Sequence, residues 1–405
     1  MPQRQLPRWS ELRPLIGTGL GTRSPVERRL SAAHEIADLR AIARRRVPRA
    51  VFDYTEGAAE QEITLRRARE AFRRAEFRPR ALQDVSKVDT SREMLGSRSD
   101  LPFVFAPTGF TRMMHHEGER AVVRVAERFG VPFGLSTMAT TSIEDAAAAG
   151  PQARKWFQLY VWKDRGAGAE LVSRAAESGF EALILTVDTA VAGARLRDAR
   201  HGLTIPPSLT PRTIADAALH PAWWFNLLTT EPLRYATLAG WHGTLADMVN
   251  KMFDPSVTID DLAWLRSMWP GPLIVKGIQN EQDARLVADH GADAVVVSCH
   301  GGRQLDRAPV PLELLPAVLD AVGGDAEVYL DTGILTGADI LAAVAMGARG
   351  CLIGRAFLYG LMAGGERGVE RAARILRAEI TRTLQLMGVR AVDELTPGHV
   401  RLRQA

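Results

Sequence analysis

The feature that most constrains this chain is a rhythm. From about Leu101 onward, eight short β-rich runs alternate with stretches of helical periodicity: Pro102–Thr108, Pro132–Thr137, Lys155–Tyr160, Ala182–Asp188, Leu273–Gly277, Ala294–His300, Glu327–Gly333 and Cys351–Arg355. Runs that are apolar almost throughout, such as Ala294-Val-Val-Val-Ser298, suit strands covered on both faces, and therefore a parallel sheet flanked by helices. Gly118–Phe129, Glu281–His290 and Gly337–Met346 carry amphipathic helix patterning between them. Eight βα units predict an α/β fold of the closed (β/α)8 TIM-barrel type. The competing arrangement is an open doubly wound sheet, which usually has fewer strands and a Gly-x-Gly-x-x-Gly turn after the first; that turn is absent here.

The rest of the chain is organised around this unit. Residues 1–30 form an N-terminal extension, 31–100 a helical segment capping the barrel, and 101–395 the barrel itself. Roughly 85 residues separate the fourth and fifth runs, far more than one helix needs, so 189–270 is an insertion after strand 4. It contains a Pro206-Pro207 break and the apolar stretch Trp223-Trp224-Phe225-Asn226-Leu227-Leu228. Such a stretch suits a lid over a site, a monotopic membrane contact, or an extra helix packed on the barrel.

Charge excludes less than it first suggests. Of 51 Lys+Arg against 47 Asp+Glu, only five are lysine: Lys87, Lys155, Lys163, Lys251 and Lys276. An arginine excess on this scale is a compositional background rather than a nucleic-acid footprint. The densest cluster, Arg44-Arg45-Arg46 followed by Arg49, lies at the end of the helical pattern Ala32–Arg46, where cations complement the helix dipole. No nucleic-acid partner is expected. Cys299 and Cys351 have no C-x-x-C spacing, so no zinc site or dithiol redox pair is expected, and a reducing cytoplasm is the natural compartment. Neither a secretory signal pattern nor an apolar run of membrane-spanning length is present.

In a (β/α)8 barrel the site forms at the C-terminal ends of the strands. Those ends here are Thr108, Ser136, Gln158 with Tyr160, Thr186 with Asp188, Lys276, Ser298 with His300, Asp331 with Gly333, and Gly354 with Arg355. So many polar groups on one face suit a large planar cofactor plus a small substrate. Gly333 and Gly354-Arg355 occupy the place after strands seven and eight where such barrels build phosphate sites from backbone N–H groups. Lys276, a rare lysine in an arginine-rich chain, ends a buried strand and suggests a need for a compact ammonium. The run Ser298-Cys299-His300-Gly301-Gly302-Arg303-Gln304-Leu305-Asp306 joins a candidate general base to an arginine suited to clamping a carboxylate.

This run resembles the Ser-Asn-His-Gly-x-Arg-Gln-Leu-Asp signature of the FMN-dependent α-hydroxy acid dehydrogenases, the family of glycolate oxidase, lactate oxidase, mandelate dehydrogenase and flavin L-lactate dehydrogenase. The likeness extends from Phe52-Asp53-Tyr54 through Ala106-Pro107-Thr108, Phe157-Gln158-Leu159-Tyr160, Leu185-Thr186-Val187-Asp188, Val275-Lys276-Gly277 and Ile353-Gly354-Arg355 to the helical C-terminus. Val191-Ala192-Gly193-Ala194-Arg195-Leu196-Arg197-Asp198, Asp331-Thr332-Gly333-Ile334 and Leu361-Met362-Ala363-Gly364-Gly365-Glu366 look most like the actinobacterial L-lactate dehydrogenases of that family.

The resemblance implies oxidation of an L-2-hydroxy acid, foremost L-lactate, to the 2-keto acid. His300 would take the substrate proton as electrons pass to the flavin, and Asp188 would orient it. Arg195, Arg303 and Tyr54 would hold the substrate carboxylate, and Tyr160 would contact the hydroxyl or nascent keto oxygen. Pro107, Thr108, Gly109, Ser136, Gln158, Thr186 and Ser298 would hold the flavin ring, with Lys276 at its N1/O2 edge. Asp331, Thr332, Gly333, Ile334, Leu335, Gly354 and Arg355 would hold the ribityl phosphate. The electron acceptor would be a quinone, another carrier or dioxygen, and the assembly a homotetramer, cytoplasmic or peripheral on the inner face of the membrane. A flavin barrel acting on a larger substrate is the other reading. Three departures stand out: Cys299 replaces the signature's asparagine, Leu335 stands where many relatives carry a phosphate-binding arginine, and Met138 takes a position that is often tryptophan.

Overall fold

In the computed structural model, which describes residues 8–12, 24–201, 216, 218–233 and 253–403, the eight runs form one closed parallel barrel. Its strands are β1 (Phe103–Phe105), β2 (Phe133–Ser136), β3 (Lys155–Leu159), β4 (Ala182–Thr186), β5 (Leu273–Ile278), β6 (Ala294–Val297), β7 (Glu327–Leu330) and β8 (Gly350–Ile353). Each pairs with its neighbours in chain order and β8 closes on β1, so the open sheet is excluded. Alternate side chains fill the interior: Val104, Trp156, Ile184, Ile274, Val296, Tyr329 and Leu352 form a dry plug, with the Trp156 and Tyr329 rings edge to face at 5.8 Å. The other face of each strand packs beneath the helices. With both faces apolar, the only places left for polar side chains are the strand ends.

The strands stop earlier than the sequence pattern suggests. The runs expected to reach Thr108, His300, Gly333 and Arg355 end at Phe105, Val297, Leu330 and Ile353. His300 and Thr332 have φ of 57° and 76°, which cannot continue a strand. The polar residues therefore occupy the first turns beyond the barrel, free to bend over its mouth.

Helices α1 (Pro25–Ser31), α2 (Ile36–Arg46), α3 (Arg49–Glu56) and α4 (Ile63–Arg73) precede the barrel. The extension expected to end at residue 30 thus overlaps a helix: Leu30 is buried and Arg29 Nη2 donates to the Ala363 carbonyl at 3.0 Å. Arg44–Arg46 close α2 as its last turn. In the insertion, α5 (Pro221–Thr229) coincides with the Trp-rich stretch, whereas Pro206-Pro207 lies outside the described residues. The helical segment α6 (Arg355–Met387), broken by a kink at Gly364-Gly365, follows β8. Glu56 locks α3 to α2 and α6, since it accepts from Arg40 Nη2 at 2.6 Å and from the Tyr359 hydroxyl at 2.7 Å. This clamp holds Tyr54 at the barrel mouth.

Candidate active site

The turns beyond the strands converge on a cavity of about 280 Å³. Register places its polar groups side by side: Ser136 is the cross-strand partner of Gln158, and Thr186 that of Lys276. The Ser136 hydroxyl donates to Gln158 Oε1 at 3.0 Å, which fixes the amide and leaves its Nε2 buried without a protein partner; Thr186 Oγ1 is likewise unpartnered. Native proteins rarely leave such groups unmatched, so both point to a ligand with a polar edge. Pro107, Thr108 and Gly109 line the same cavity.

His300 faces this cavity, and its Nδ1 lies 2.9 Å from Asp188 Oδ1, leaving Nε2 as the nitrogen open to a ligand. Asp188 is sealed behind it, 1% exposed, and lines a second cavity instead. The fit depends on Gly277, at a bulge in β5 with φ 106°, because a Cβ there would stand 2.8 Å from the Asp188 side chain. A carboxylate at this distance stabilises an imidazolium once formed.

Lys276 is fully buried in a pair with Asp331, Nζ to Oδ2 2.9 Å, and also donates to Ser298 Oγ at 2.9 Å. Burial alone would lower the lysine pKa, but Asp331 and then Asp188 overcome it and raise the value; burial would raise that of Asp331, but Lys276 lowers it. Ser298, expected against the flavin, stands one layer back: it is fully buried, and its Oγ accepts from Lys276 and from the His300 N–H at 3.0 Å. Cys299 is buried too, which pushes its thiol up to about 11, and the protonated thiol faces Thr332 Oγ1 at 3.5 Å.

The expected substrate residues sit together. The Arg195 and Arg303 guanidiniums lie 5.4 and 4.8 Å from the centroid of the Tyr54 ring. Arg303 donates to the carbonyls of Tyr54 and Gly57, the latter at 3.2 Å. Burial first, then Arg195, draw its pKa down to about 10, as expected of a cation without an anion. Tyr160 is buried and held protonated by burial and by Asp188. Met138, Ala192 and Phe253 also line the cavity, with Phe253 edge to face on Tyr160 at 5.5 Å.

Gly333, Ile334, Leu335 and Gly354 line the cavity too. Here α6 begins, and the N–H groups of a first helical turn have no carbonyl partner within the helix. Arg355 donates from Nε to the Thr55 carbonyl at 2.9 Å and from Nη2 to that of Gly57 at 2.8 Å. Arg69 was missed: from α4 it reaches the cavity wall, donates to the Gly333 carbonyl and pairs with Asp339 Oδ2 at 2.8 Å. Its only sequence signal was one more arginine in an arginine-rich helix. Phe253 and the Arg40–Glu56–Tyr359 clamp were also missed, because their partners are remote in sequence.

The unpartnered Gln158 and Thr186 atoms, the helix start beside Arg355 and the His300–Asp188 pair suit an enzyme that holds a polar-edged cofactor with an anionic group next to a small anionic substrate. Comparison with known proteins specifies which. Residues 43–402 match the model of the FMN-dependent dehydrogenase family. A Mycobacterium tuberculosis protein provisionally named an L-lactate dehydrogenase is 56% identical over 397 residues, 98% of this chain and 96% of that protein. An L-lactate dehydrogenase of Caulobacter vibrioides is 42% identical over 365 residues, covering 88% of this chain and 95% of that one. Among solved structures, the monotopic membrane protein (S)-mandelate dehydrogenase superposes with a TM-score of 0.88 at 36% identity, over 92% of this chain and all of that one. The chain belongs to the FMN-dependent dehydrogenase family and is an FMN-dependent oxidoreductase of α-hydroxy acids.

Proposed function

We propose that the protein oxidises L-lactate, or an L-2-hydroxy acid of similar size, to the 2-keto acid and passes the electrons to a quinone or another carrier. The observation that carries this reading is the placement of His300, backed by Asp188 at 2.9 Å, in the same cavity as Arg195, Arg303, Tyr54 and Tyr160. FMN, when bound, would supply the acceptor for the hydride that leaves the hydroxyl carbon with both electrons. The chain's own residues do the rest. Arg303 and Arg195 take the substrate carboxylate, which supplies the anion that Arg303 lacks and orients the hydroxyl carbon. His300 Nε2 accepts the hydroxyl proton, and Asp188 stabilises the resulting cation. The Tyr160 hydroxyl, kept protonated, donates to the substrate oxygen.

The cofactor residues follow the same logic. Gln158 Nε2 and Thr186 Oγ1 would hold the ring of the flavin, and Lys276 would offer it a fixed positive charge. Arg355, Arg69 and the first turn of α6 would hold its phosphate. Leu335 removes one cation from this end, and Arg69 supplies another from a different element. Met138, Ala192 and Phe253 line the same cavity, and the L-lactate dehydrogenases among the relatives favour a small acid. Anaerobic titration with L-lactate, glycolate, L-mandelate and longer 2-hydroxy acids tests this: bleaching of the flavin band should be fastest with L-lactate, and no bleaching by any 2-hydroxy acid refutes the reaction.

A carrier rather than dioxygen is favoured by α5. Trp223 Nε1 anchors it through the Met113 carbonyl at 2.8 Å, while Phe225 and Leu228 stand 59% and 72% exposed beside Trp224. None of its residues is buried. Such a face suits a membrane surface holding a quinone, and no helix among the described residues is long and apolar enough to cross a bilayer. Peripheral attachment to the inner face of the cell membrane, as a homotetramer, completes the proposal. Peroxide formed in proportion to lactate would overturn the carrier, loss of vesicle binding by a Trp224→Ser/Phe225→Ser/Leu228→Ser variant would support the surface, and light-scattering mass checks the tetramer.

A further inference from the structure

Thr332 has φ 76°, in the left-handed region that β-branched residues avoid. Such a conformation persists only where the surroundings over-determine it, and it concentrates at functional sites. Its hydroxyl donates to Asp331 Oδ1 at 2.7 Å and accepts the Gly301 N–H at 3.0 Å. The thiol of Cys299 approaches it at 3.5 Å. Gly301 follows His300, and both are left-handed, with φ of 65° and 57°. This turn aims the imidazole; it is closed by backbone bonds from the Gly302 N–H to the Cys299 carbonyl at 2.8 Å and from the Arg303 N–H to the His300 carbonyl at 3.2 Å, and side chains tie it to the barrel.

Two hydroxyls bracket the turn. On one side Ser298 Oγ accepts from the His300 N–H and from Lys276; on the other Thr332 Oγ1 accepts from Gly301 and donates to Asp331. Lys276 and Asp331 are themselves paired at 2.9 Å. The histidine turn is thereby tied at both ends to one buried ion pair. A glycine at position 332 would adopt the same backbone without strain, so what the threonine adds is its hydroxyl. Although the stretch from Asp331 to Leu335 was expected to hold phosphate, this hydroxyl is spent on the wall of the site.

We propose that Thr332 is a positioning residue for the base: its hydroxyl, carried on a strained backbone, fixes the His300–Gly301 turn to the Lys276–Asp331 pair and so sets where the imidazole Nε2 meets the substrate. The inference rests on His300 acting as the base. Thr332→Gly removes both the strain and the hydroxyl, while Thr332→Ser keeps the hydroxyl. In the FMN-loaded enzyme, Thr332→Gly should leave the melting temperature unlowered and FMN affinity within about threefold. Its limiting rate of anaerobic flavin reduction by L-lactate should fall about tenfold, with the apparent substrate Kd changed by less than about twofold. Thr332→Ser should recover most of that rate. A wild-type rate in Thr332→Gly overturns the proposal, as does a serine variant as slow as the glycine one, or an FMN affinity that falls in step with the rate. A His300→Ala variant run in parallel separates the two readings: if it still reduces flavin fast, the base assignment itself has failed.

Discussion

The two sides of the cavity treat charge differently. On the side of the base, each ionisable group has a carboxylate partner inside the protein: His300 with Asp188, and Lys276 with Asp331, both at 2.9 Å. On the side that faces Tyr54 and the start of α6, Arg303 and Arg355 rest on backbone carbonyls, and neither pairs with a carboxylate among the described residues. Arg195 has one only at 3.6 Å, Asp198. Buried cations satisfied by carbonyls alone are poised for an external anion, whereas pre-paired groups keep a fixed geometry throughout a reaction, with the charge of Lys276 constant and that of His300 changing as it takes the proton. Ligands are held on one side and chemistry is tuned on the other.

The largest test of this division falls on the paired side. His300→Ala should retain FMN yet lose flavin reduction by on the order of 10³–10⁴-fold, the upper range for a positioned base together with its contacts. Stopped-flow reduction by L-lactate measures this, and near-normal reduction would break the comparison. Asp331→Asn strands the buried Lys276 ammonium and should cost about 3–5 kcal/mol of stability in denaturant unfolding. The pH dependence has a definite sign. Asp331, lowered in the fold, contributes above its unfolded pKa near ~3.9 and loses that contribution as pH falls through the folded value; Lys276, raised, contributes below ~10.4 and loses it as pH climbs through the folded value. The pair's contribution in the wild type should therefore be constant between those limits, whereas the variant, in which burial lowers the Lys276 pKa with no Asp331 carboxylate to oppose it, regains stability as rising pH removes the lysine proton. The gap should be largest at the acid end of that range and shrink toward alkaline pH; a gap that stays constant up to ~10.4 would mean that Lys276 is not stranded by the change.

This asymmetry was only partly legible in the sequence. The barrel was, because strands buried on both faces must be apolar throughout, as in Ala294–Val297. So were His300, Asp188, Lys276 and Tyr54, which lie in motifs or at strand ends. Harder to read were contacts whose partners are remote in the chain and whose residue type is common: Arg69 beside Gly333, or Glu56 beside Tyr359. Ser298, expected to hold the flavin ring, is fully buried and is not among the residues that line the cavity, a depth that a strand-end rule, which gives only height in the barrel, does not show. The left-handed backbone of Thr332 had no sequence signal, because threonine is the residue least expected there.

On the ligand side, Arg303→Met should raise the apparent Kd for L-lactate and lower kcat/KM by about 10²-fold, within the range for a buried charge-assisted contact. Arg303→Lys should not restore it, since a point charge cannot reproduce the planar fork that spans the Tyr54 and Gly57 carbonyls and a carboxylate. If lysine sufficed, Arg303 would be supplying charge alone, and its carbonyl contacts would be incidental.

The smallest expected effect separates the two arginines at the phosphate end. Arg355→Met removes a cation held only by carbonyls, whereas Arg69→Met also breaks a pair with Asp339, the residue whose Oδ2 accepts the Leu335 N–H at 2.9 Å. The first change should weaken FMN binding by about tenfold and leave riboflavin affinity unaltered, because riboflavin lacks the phosphate. The second should weaken FMN too, but it should also weaken riboflavin and lower the melting temperature, since the turn from Gly333 to Leu335 loses its support. Flavin fluorescence titration of the apoprotein with both ligands distinguishes them. Equal losses for FMN and riboflavin in Arg355→Met would show that this arginine, like Lys276, is committed to the fold and not to an incoming anion, and the contrast between the two sides of the cavity would then end at the substrate.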